Sequence, residues 1–237
     1  PQDLISRITP KTKMVILNSP ANPTGGVTER AELEAVLKVL KDYPDIWILS
    51  DEIYARMLYD GIEHVSPMQD PEIRDRVILL DGWSKTYAMT GWRMGFGVMR
   101  PDLAASFTKL MVNSNSCTAS FSQRAGMEAL AGDQSGVDAM LSEFDVRRKH
   151  MVNLLNDIPG VDCHLPVGAF YVFPNIKQFG LSSIDMQDRI LSEAGVACLA
   201  GTSFGAEGEG YIRFSYANSI ANIEEGVGRV RRFLENI

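Results

Sequence analysis

The sequence predicts an α/β fold in which a mostly parallel sheet, in a three-layer αβα arrangement, precedes a small α+β domain. Three observations carry this prediction. Apolar runs alternate with helical patterns in the first half of the chain. One long helical pattern then covers residues 137–155, and short strand-like runs dominate the remainder of the chain. We therefore predict a large domain over residues 1–145 and a small domain over residues 146–237.

Apolar runs in the first half predict strands, because turn-forming or acidic residues close most of them. These runs are 14–18, 46–49, 77–80 and 94–99. Apolar residues recur at helical spacing from Leu33 to Leu40, behind Thr28 as the predicted N-cap. A further helix is predicted from 101 to 132, closed by Gly132. Helices between strands favour parallel pairing.

The long helical pattern consists of residues that step by three or four positions: Val137, Leu141, Phe144, Arg148, Met151 and Leu155. It ends before Pro159-Gly160 and suits a connector between domains. Beyond it, strands are predicted at 161–165, 168–173, 196–200 and 211–215. Helices are predicted at 184–194 and 223–234. This order is typical of a small α+β domain.

The composition is that of an ordinary globular chain of 237 residues, with 45% hydrophobic and 22% charged residues. The net charge of 23 − 30 = −7 disfavours nucleic acid and anionic membranes as partners. No apolar run is long enough to span a membrane. The cysteines at 117, 163 and 198 are odd in number and widely spaced, which favours free thiols and a cytoplasmic location. The three histidines lack metal-ligand spacing, so we expect no metal site.

Polar groups follow three of the predicted strands, where an open α/β sheet binds its ligands. They are Asn22 in a Pro/Gly-rich turn, Asp51 with Tyr54, and the stretch from Ser84 to Arg93. Taken singly, each has a structural explanation as a turn former, a helix cap or a surface charge. Arg213 differs, because it lies within a mostly apolar strand and so needs an anionic partner.

Four motifs in this order resemble the class I/II aminotransferases of pyridoxal-phosphate fold type I. They are Asn22-Pro23-Thr24-Gly25, Ser50-Asp51-Glu52-Ile53-Tyr54, the stretch Ser84-Lys85-Thr86-Tyr87-Ala88-Met89-Thr90-Gly91-Trp92-Arg93, and Arg213-Phe214-Ser215. Residues 168–171 and 201–204 are also similar to the small domain of that family. Trp83 departs from the pattern, since the family has a smaller residue two positions before the lysine. We expect this change to alter packing near the cofactor.

The resemblance implies a role for each residue around the cofactor ring. Lys85 is implied as the amine that binds pyridoxal 5'-phosphate covalently and later moves the substrate proton. Asp51 is implied as the carboxylate that keeps the ring nitrogen protonated. Asn22 and Tyr54 are the implied donors to the ring oxygen, with Asn22-Pro23 as a cis peptide. Glu52 is treated as an ordinary neighbour.

The resemblance also implies anion sites. Arg93 and Ser84 are implied to bind the cofactor phosphate. Arg213, with Asn22, is implied to hold the substrate α-carboxylate. We interpret residues 147–149, two arginines and a lysine, as a solvated face of the long helix.

The implied function is transfer of an amino group between an L-amino acid and a 2-oxo acid by a homodimeric enzyme. A β-elimination lyase with the same cofactor and a ligand-sensing domain of a regulator remain open as alternatives. The chain begins with Pro1 and lacks the upstream part of the family, so we expect a C-terminal fragment. Such a fragment alone is expected to bind the cofactor weakly and to expose apolar surface.

Overall fold

A computed structural model describes all 237 residues, Pro1–Ile237. The chain divides into two compact units. Unit 1 comprises Pro1–Pro20 and Val27–Val137, and unit 2 comprises Ala21–Gly26 and Asp138–Ile237. The compact units divide after Val137, within a helix. The predicted domain boundary between residues 145 and 146 stays a prediction. No helix is both long and apolar enough to cross a membrane.

Unit 1 contains a four-stranded sheet in the order β1-β2-β3-β4. Its strands are β1 (Met14–Asn18), β2 (Trp47–Asp51), β3 (Val77–Gly82) and β4 (Gly95–Val98). The first three strands run parallel, and β4 pairs antiparallel with β3. The predicted α/β class with a mostly parallel sheet is therefore confirmed.

Five helices lie in unit 1: α1 (Gln2–Arg7), α2 (Arg30–Lys41), α3 (Trp83–Thr86), α4 (Pro101–Ser114) and α5 (Ser120–Ala131). Helix α2 begins with a capping box between Glu29 and Glu32, so the prediction of Thr28 as its N-cap is wrong. The backbone N–H of Thr28 instead donates to Ser19 Oγ at 2.9 Å. A glutamate pair satisfies two helix-end donors at once, which one threonine hydroxyl does not.

The core of unit 1 lies between α2 and one face of the sheet. Leu33, Leu37 and Leu40 follow helical spacing and pack with Ile48 and Val77. All five side chains are buried. This burial explains why the sequence around α2 is helical, because the apolar stripe matches the side of the helix that faces the sheet.

The end of α2 is held by a half-buried arginine. Arg76 donates from Nη2 to the carbonyl of Leu40 at 2.5 Å, and from Nη1 to the carbonyls of Tyr43 and Ile46 at 2.7 and 2.8 Å. The Leu40 and Tyr43 carbonyls also accept the backbone N–H groups of Tyr43 and Ile46, so the guanidinium adds a second donor at the end of α2. Burial lowers the pKa of the Arg76 guanidinium.

The single helix predicted over residues 101–132 is wrong, because two helices occupy this stretch. The polar residues Asn115 and Ser116 separate α4 from α5, and Ser116 has a φ of 62°. Serine and asparagine compete for backbone hydrogen bonds and disfavour helix interiors. The predicted end is right, since α5 ends at Ala131 with Gly132 as its cap.

Unit 2 contains an antiparallel sheet in the order β5-β7-β6. Its strands are β5 (Tyr171–Val172), β6 (Leu199–Ala200) and β7 (Ile212–Ser215). Its helices are α6 (Ser135–Asn156, which starts in unit 1), α7 (Ser183–Arg189, extended by a π-turn over Ile190–Ala194) and α8 (Ile220–Leu234). The predicted α+β domain is confirmed, but the strand at 161–165 is reduced to a bridge between Asp162 and Asn175.

The three cysteines are free. Cys117 is exposed between α4 and α5, Cys163 is buried and Cys198 is partly exposed. Burial raises the pKa of Cys163 and of Cys198 to about 12 in each case. These two thiols are therefore poor nucleophiles at neutral pH.

Candidate functional site

The carboxyl ends of the parallel strands in unit 1 bring the first set of predicted residues to one edge of the sheet. Asp51 is the last residue of β2 and lies in register with Leu80 of β3. On the other side, Asn18 of β1 is its register partner and donates from Nδ2 to the Asp51 carbonyl at 3.1 Å. The Asp51 side chain is half-buried, and its Oδ1 accepts the backbone N–H of Ile53 at 3.3 Å. Two neighbouring strands therefore fix the position of this carboxylate.

Lys85 lies in α3, the short helix that directly follows β3. Its side chain is half-buried, and Nζ lies 5.8 Å from the centre of the Tyr54 ring. Tyr54 itself is buried after the end of β2. The amine is thus placed against an aromatic ring on the same sheet edge as Asp51, in an environment that attracts a cation.

The residues from 82 to 93, which we call the lysine segment, fold back on themselves in tight turns. Thr90 Oγ1 donates to the Ser84 carbonyl at 2.9 Å, and Arg93 Nη1 donates to the Thr90 carbonyl at 2.9 Å. Arg93 has a φ of 55°, a left-handed conformation that is uncommon for a residue with a side chain. Its guanidinium is exposed, so a cation is presented to solvent at the end of the lysine segment.

Trp83, the departure from the family pattern, packs inside unit 1. Its indole Nε1–H donates to the Gly126 carbonyl at 3.0 Å, and its ring meets Phe96 edge-on with centroids 5.5 Å apart. A Cβ at Gly126 would lie 3.2 Å from the Trp83 ring. The lysine segment is therefore attached to α5 through this indole.

A buried polar cluster lies next to Asp51, and sequence reasoning missed it. Glu52 accepts hydrogen bonds from Ser50 Oγ at 2.8 Å and Ser66 Oγ at 2.6 Å, and it contacts His64 Nε2 at 2.7 Å. Glu52 is buried. It is therefore more than an ordinary neighbour. The closely spaced His64 and Ser66, in a stretch after Tyr54, were the only available signal.

Asp81, at the end of β3, adds another carboxylate near this cluster. Burial raises its pKa, and the negative charges of Glu52 and Asp51 raise it further. The Gly82 N–H, which donates to Asp81 Oδ1 at 2.6 Å, and the nearby His64 act in the opposite direction. The sheet edge thus concentrates acidic groups, which favours a positively charged ligand group there.

The second set of predicted residues lies in unit 2, where Arg213 on β7 is the central side chain. Its Nη1 donates to Asn22 Oδ1 at 2.9 Å. The rings of Tyr171 and Phe204 lie 4.4 and 5.2 Å from Arg213 Cζ. We call these four residues the Arg213 cluster. The predicted cis peptide between Asn22 and Pro23 is confirmed.

The guanidinium of Arg213 has unused hydrogen-bonding capacity. Its Nε is buried and has no hydrogen-bond partner. A buried donor without a partner costs free energy, roughly 1–3 kcal/mol, unless a ligand supplies the acceptor. The Arg213 cluster is therefore suited to a planar anion such as a carboxylate.

The structure brings Asp51, Tyr54, Ser84, Lys85 and Arg93 into unit 1 and places Asn22 with Arg213 in unit 2. The role predicted for each residue stays a prediction. The interpretation of residues 147–149 as a solvated face is wrong for Arg148, whose side chain is fully buried. No group of three His, Cys, Asp or Glu residues is placed to hold a metal ion.

A family model described as "Aminotransferase class I and II" matches residues 1–230. The chain belongs to this family. Among curated proteins, the aspartate aminotransferase of Pyrococcus horikoshii is 40% identical over 238 residues, which covers 99% of this chain and 60% of that protein. The aromatic-amino-acid aminotransferase 2 of Thermococcus litoralis is 37% identical, with coverage of 98% and 60%.

Solved aminotransferase structures agree with this assignment. The aromatic aminotransferase of Pyrococcus horikoshii superposes with a TM-score of 0.95 at 37% identity, covering 99% of this chain and 63% of that chain. The aspartate aminotransferase of Rhizobium meliloti gives a TM-score of 0.94 at 35% identity, covering 99% and 61%. The chain thus spans about 60% of the length of these aminotransferases. Fold type I is thereby shown for this member of the family.

Proposed function

We propose that this chain carries the cofactor lysine and the substrate-carboxylate site of a pyridoxal-phosphate-dependent aminotransferase. The reaction moves an amino group between an L-amino acid and a 2-oxo acid. The placement of Lys85 directly after β3, on the sheet edge that holds Asp51, supports the proposal most directly. The names of the relatives include aspartate and aromatic amino acids as substrates, and they favour amino transfer over elimination.

The residues of unit 1 fit pyridoxal 5'-phosphate by their chemistry. They supply an amine at Lys85, a carboxylate at Asp51, a phenol at Tyr54, and a guanidinium with a hydroxyl at Arg93 and Ser84. The bound cofactor supplies an aldehyde that condenses with amines and a ring that withdraws electrons from the substrate α-carbon. Each of these protein groups meets one requirement of that molecule.

Lys85 Nζ is the proposed proton carrier. A lysine amine takes up a proton readily only when it is uncharged, and positive charge nearby favours the uncharged form. The acidic groups at the sheet edge favour a protonated ring nitrogen in the bound cofactor. We assign the contact with that nitrogen to Asp51. Hydrogen bonds from Ser50 and Ser66 hold Glu52, the residue next to Asp51 in the chain, and so restrict the movement of Asp51.

Anion binding is divided between two arginines. Arg93 is exposed, and with Ser84 it is proposed to bind the cofactor phosphate. Arg213 is proposed to bind the substrate α-carboxylate, and its partnerless Nε supplies the additional donor. Asn22 is proposed to contact both the cofactor ring oxygen and the substrate, and its Oδ1 orients Arg213.

We also propose that the chain forms a homodimer. Apolar side chains on α4 and α5 are exposed, among them Leu110 at 68% and Phe121 at 70%. An apolar surface of this kind is typical of an association site. No nucleic acid, membrane or metal partner is proposed. The cytoplasmic location predicted from the cysteines stays a prediction.

A cofactor titration tests the central claim. Adding pyridoxal 5'-phosphate to the chain is expected to change the visible absorption of the cofactor, and Lys85→Ala is expected to abolish the change. Lys38→Ala is the control, because Lys38 is an exposed lysine on α2. Reduction with borohydride followed by peptide mass spectrometry should place the cofactor on the peptide that contains Lys85. Equal spectra for all three proteins, or a label elsewhere, would contradict the proposal.

A further inference from the structure

Arg148 in α6 is a buried charged residue to which the proposed function gives no role. Its side chain is fully buried. Burying a guanidinium is unfavourable unless hydrogen bonds and an opposite charge compensate for the lost hydration. The partners of Arg148 therefore indicate what its presence stabilises.

Two of those partners are the carboxylate of Asp145 and the distant carbonyl of Pro166. Arg148 Nε donates to Asp145 Oδ1 at 2.9 Å, and Nη2 contacts the same oxygen. Nη1 reaches across to the carbonyl of Pro166 and donates to it at 2.7 Å. Burial opposes ionisation of Asp145, but hydrogen bonds from Lys149 and Arg148 outweigh it and lower the pKa of Asp145. The pair is thus charged at neutral pH, and Nη1 of Arg148 holds the Pro166 carbonyl.

Pro166 begins a segment, residues 166–171, that α6 holds at a second point. Phe144 lies one helical turn before Arg148 and stacks on Phe170 with ring centroids 5.8 Å apart. From another side, Tyr216 Oη–H donates to the Ala169 carbonyl at 2.9 Å. The segment 166–171 is therefore fixed by side chains rather than by strand pairing over most of its length.

The same segment holds the turn that contains Asn22. The backbone N–H groups of Val167 and Gly168 both donate to the Gly25 carbonyl, at 3.1 and 2.8 Å. Gly25 has a φ of +67°, and a Cβ at this position would lie 2.8 Å from the Gly168 carbonyl oxygen. The turn and the segment are thus packed too closely to shift independently.

The turn and the segment 166–171 each contribute a side chain that lies against Arg213. Asn22, in the turn, accepts the hydrogen bond from Arg213 Nη1 at 2.9 Å. Tyr171, at the end of the segment, places its ring 4.4 Å from Arg213 Cζ. Two of the three side chains that surround the guanidinium are therefore positioned by residues 166–171.

We propose that Arg148 is a positioning residue for the Arg213 cluster. By holding the Pro166 carbonyl, it fixes residues 166–171, and these in turn set Asn22 and Tyr171 around the Arg213 guanidinium. That Arg213 binds a carboxylate is part of the proposed function, and the inference rests on it in this respect. The positioning itself is a property of the chain alone and can be measured without ligand.

The test compares Arg148→Met and Arg148→Lys with Arg229→Met as the control. Arg229 is an exposed arginine on α8 that pairs with Glu225 four residues earlier, so its loss removes a helical ion pair outside the Arg213 cluster. The Nε–H signal of Arg213 and the side-chain amide signal of Asn22 are followed by ¹⁵N NMR. Arg213→Lys assigns the first signal. 2-Oxoglutarate is then titrated as the carboxylate probe.

Arg148→Met is expected to shift both side-chain signals and to weaken 2-oxoglutarate binding roughly tenfold, the effect of losing one hydrogen bond to a charged group. Arg148→Lys should recover part of the affinity, because it keeps the charge beside Asp145 but lacks the forked donors. Arg229→Met should leave signals and affinity unchanged. Unchanged signals and affinity in a folded Arg148→Met protein would overturn the inference.

Gly25→Ala provides a second approach if Arg148→Met does not fold. Its Cβ pushes the turn away from residues 166–171 and should shift the Asn22 and Arg213 signals in a protein that keeps Arg148. Wild-type signals in this variant would also overturn the inference. A different result would contradict the proposed function. In that result, 2-oxoglutarate does not change the Arg213 signal of the unaltered chain, although the variants still shift this signal without ligand.

Discussion

Helices α4 and α8 are nearly equal in length but differ in how they are stabilised. Helix α8 of unit 2 has 15 residues and buries Ile223, Val227, Val230, Phe233 and Leu234. Helix α4 of unit 1 has 14 residues and buries none. It begins with Pro101 at the first turn, and Asp102 lies near the positive end of the helix dipole. Local signals thus define α4, whereas tertiary packing defines α8.

The difference extends to the sheets of the two units. In β1, Val15 and Leu17 pack on the core beside α2, while Met14 and Ile16 on the other face are 42% and 66% exposed. Strand β7 of unit 2 instead has Ile212 and Phe214 buried. The other face of β7 carries the polar residues Arg213 and Ser215, whereas the other face of β1 keeps apolar surface that association can cover.

A matched pair of phenylalanines gives the largest expected effect. Phe233 on α8 is buried, with the Arg189 guanidinium 5.1 Å above its ring, whereas Phe107 on α4 is exposed. Phe233→Ala is expected to lower the free energy of unfolding by about 3–5 kcal/mol. Phe107→Ala should change it by less than about 0.5 kcal/mol. Urea denaturation of both variants measures this, and equal losses would show that α4 is packed after all.

A charge on α4 tests whether its exposed side chains associate. Leu110→Lys is expected to leave the free energy of unfolding of the monomer nearly unchanged, because Leu110 contacts solvent. It should weaken self-association at least about tenfold, since a buried unpaired charge is strongly unfavourable at an interface. Sedimentation equilibrium over a range of concentrations measures the dissociation constant. An unchanged constant would remove α4 from the dimer contact.

Asp81 gives the smallest expected effect, on the pH dependence of stability. Its pKa in the folded chain is above the unfolded value of 3.8, mainly because of burial. The folded state therefore binds this proton more tightly, and stability falls as pH rises through that window. Asp81→Asn keeps an acceptor for the Gly82 N–H and removes the charge near Glu52.

We expect Asp81→Asn to be slightly more stable at neutral pH and to lose less stability as the pH rises above about 4. Thermal unfolding at several pH values measures both. His64 and Asp51 also lie in this electrostatic environment, so the same series in a His64→Gln background is the control. A variant that is less stable at neutral pH would mean that the negative charge of Asp81 is favourable in the fold.

The sequence predicted the strands of unit 1 well, but it did not predict every residue of the candidate site. The parallel strands of unit 1 were predicted because apolar runs carry that information locally. The cis bond at Asn22-Pro23 was predicted only through the resemblance to the family. The break between α4 and α5 was missed, although Asn115 and Ser116 mark it. Their effect competes with the helical preference of the flanking residues, and that balance is not visible in a pattern.

The two buried charges were missed for a different reason. Arg148 occupies the apolar series that includes Phe144 and Met151, so the periodicity itself placed it on the buried face. Its charge suggested solvent instead. Glu52 lies in no such apolar series, and its partner Ser66 lies 14 residues further along the chain. In both cases part of the stabilising contact comes from a residue distant in sequence, Ser66 for Glu52 and Pro166 for Arg148, and a sequence pattern does not contain such contacts.

The unequal environments of the cysteines make this chain suitable for site-selective chemistry. Cys163 and Cys198 hold their protons up to a pKa of about 12, so thiol reagents at neutral pH should modify Cys117 first. Cys117 lies in the connection between the two apolar helices α4 and α5. A fluorophore or spin label attached there needs no engineered residue, and its signal would report directly when another molecule covers those helices.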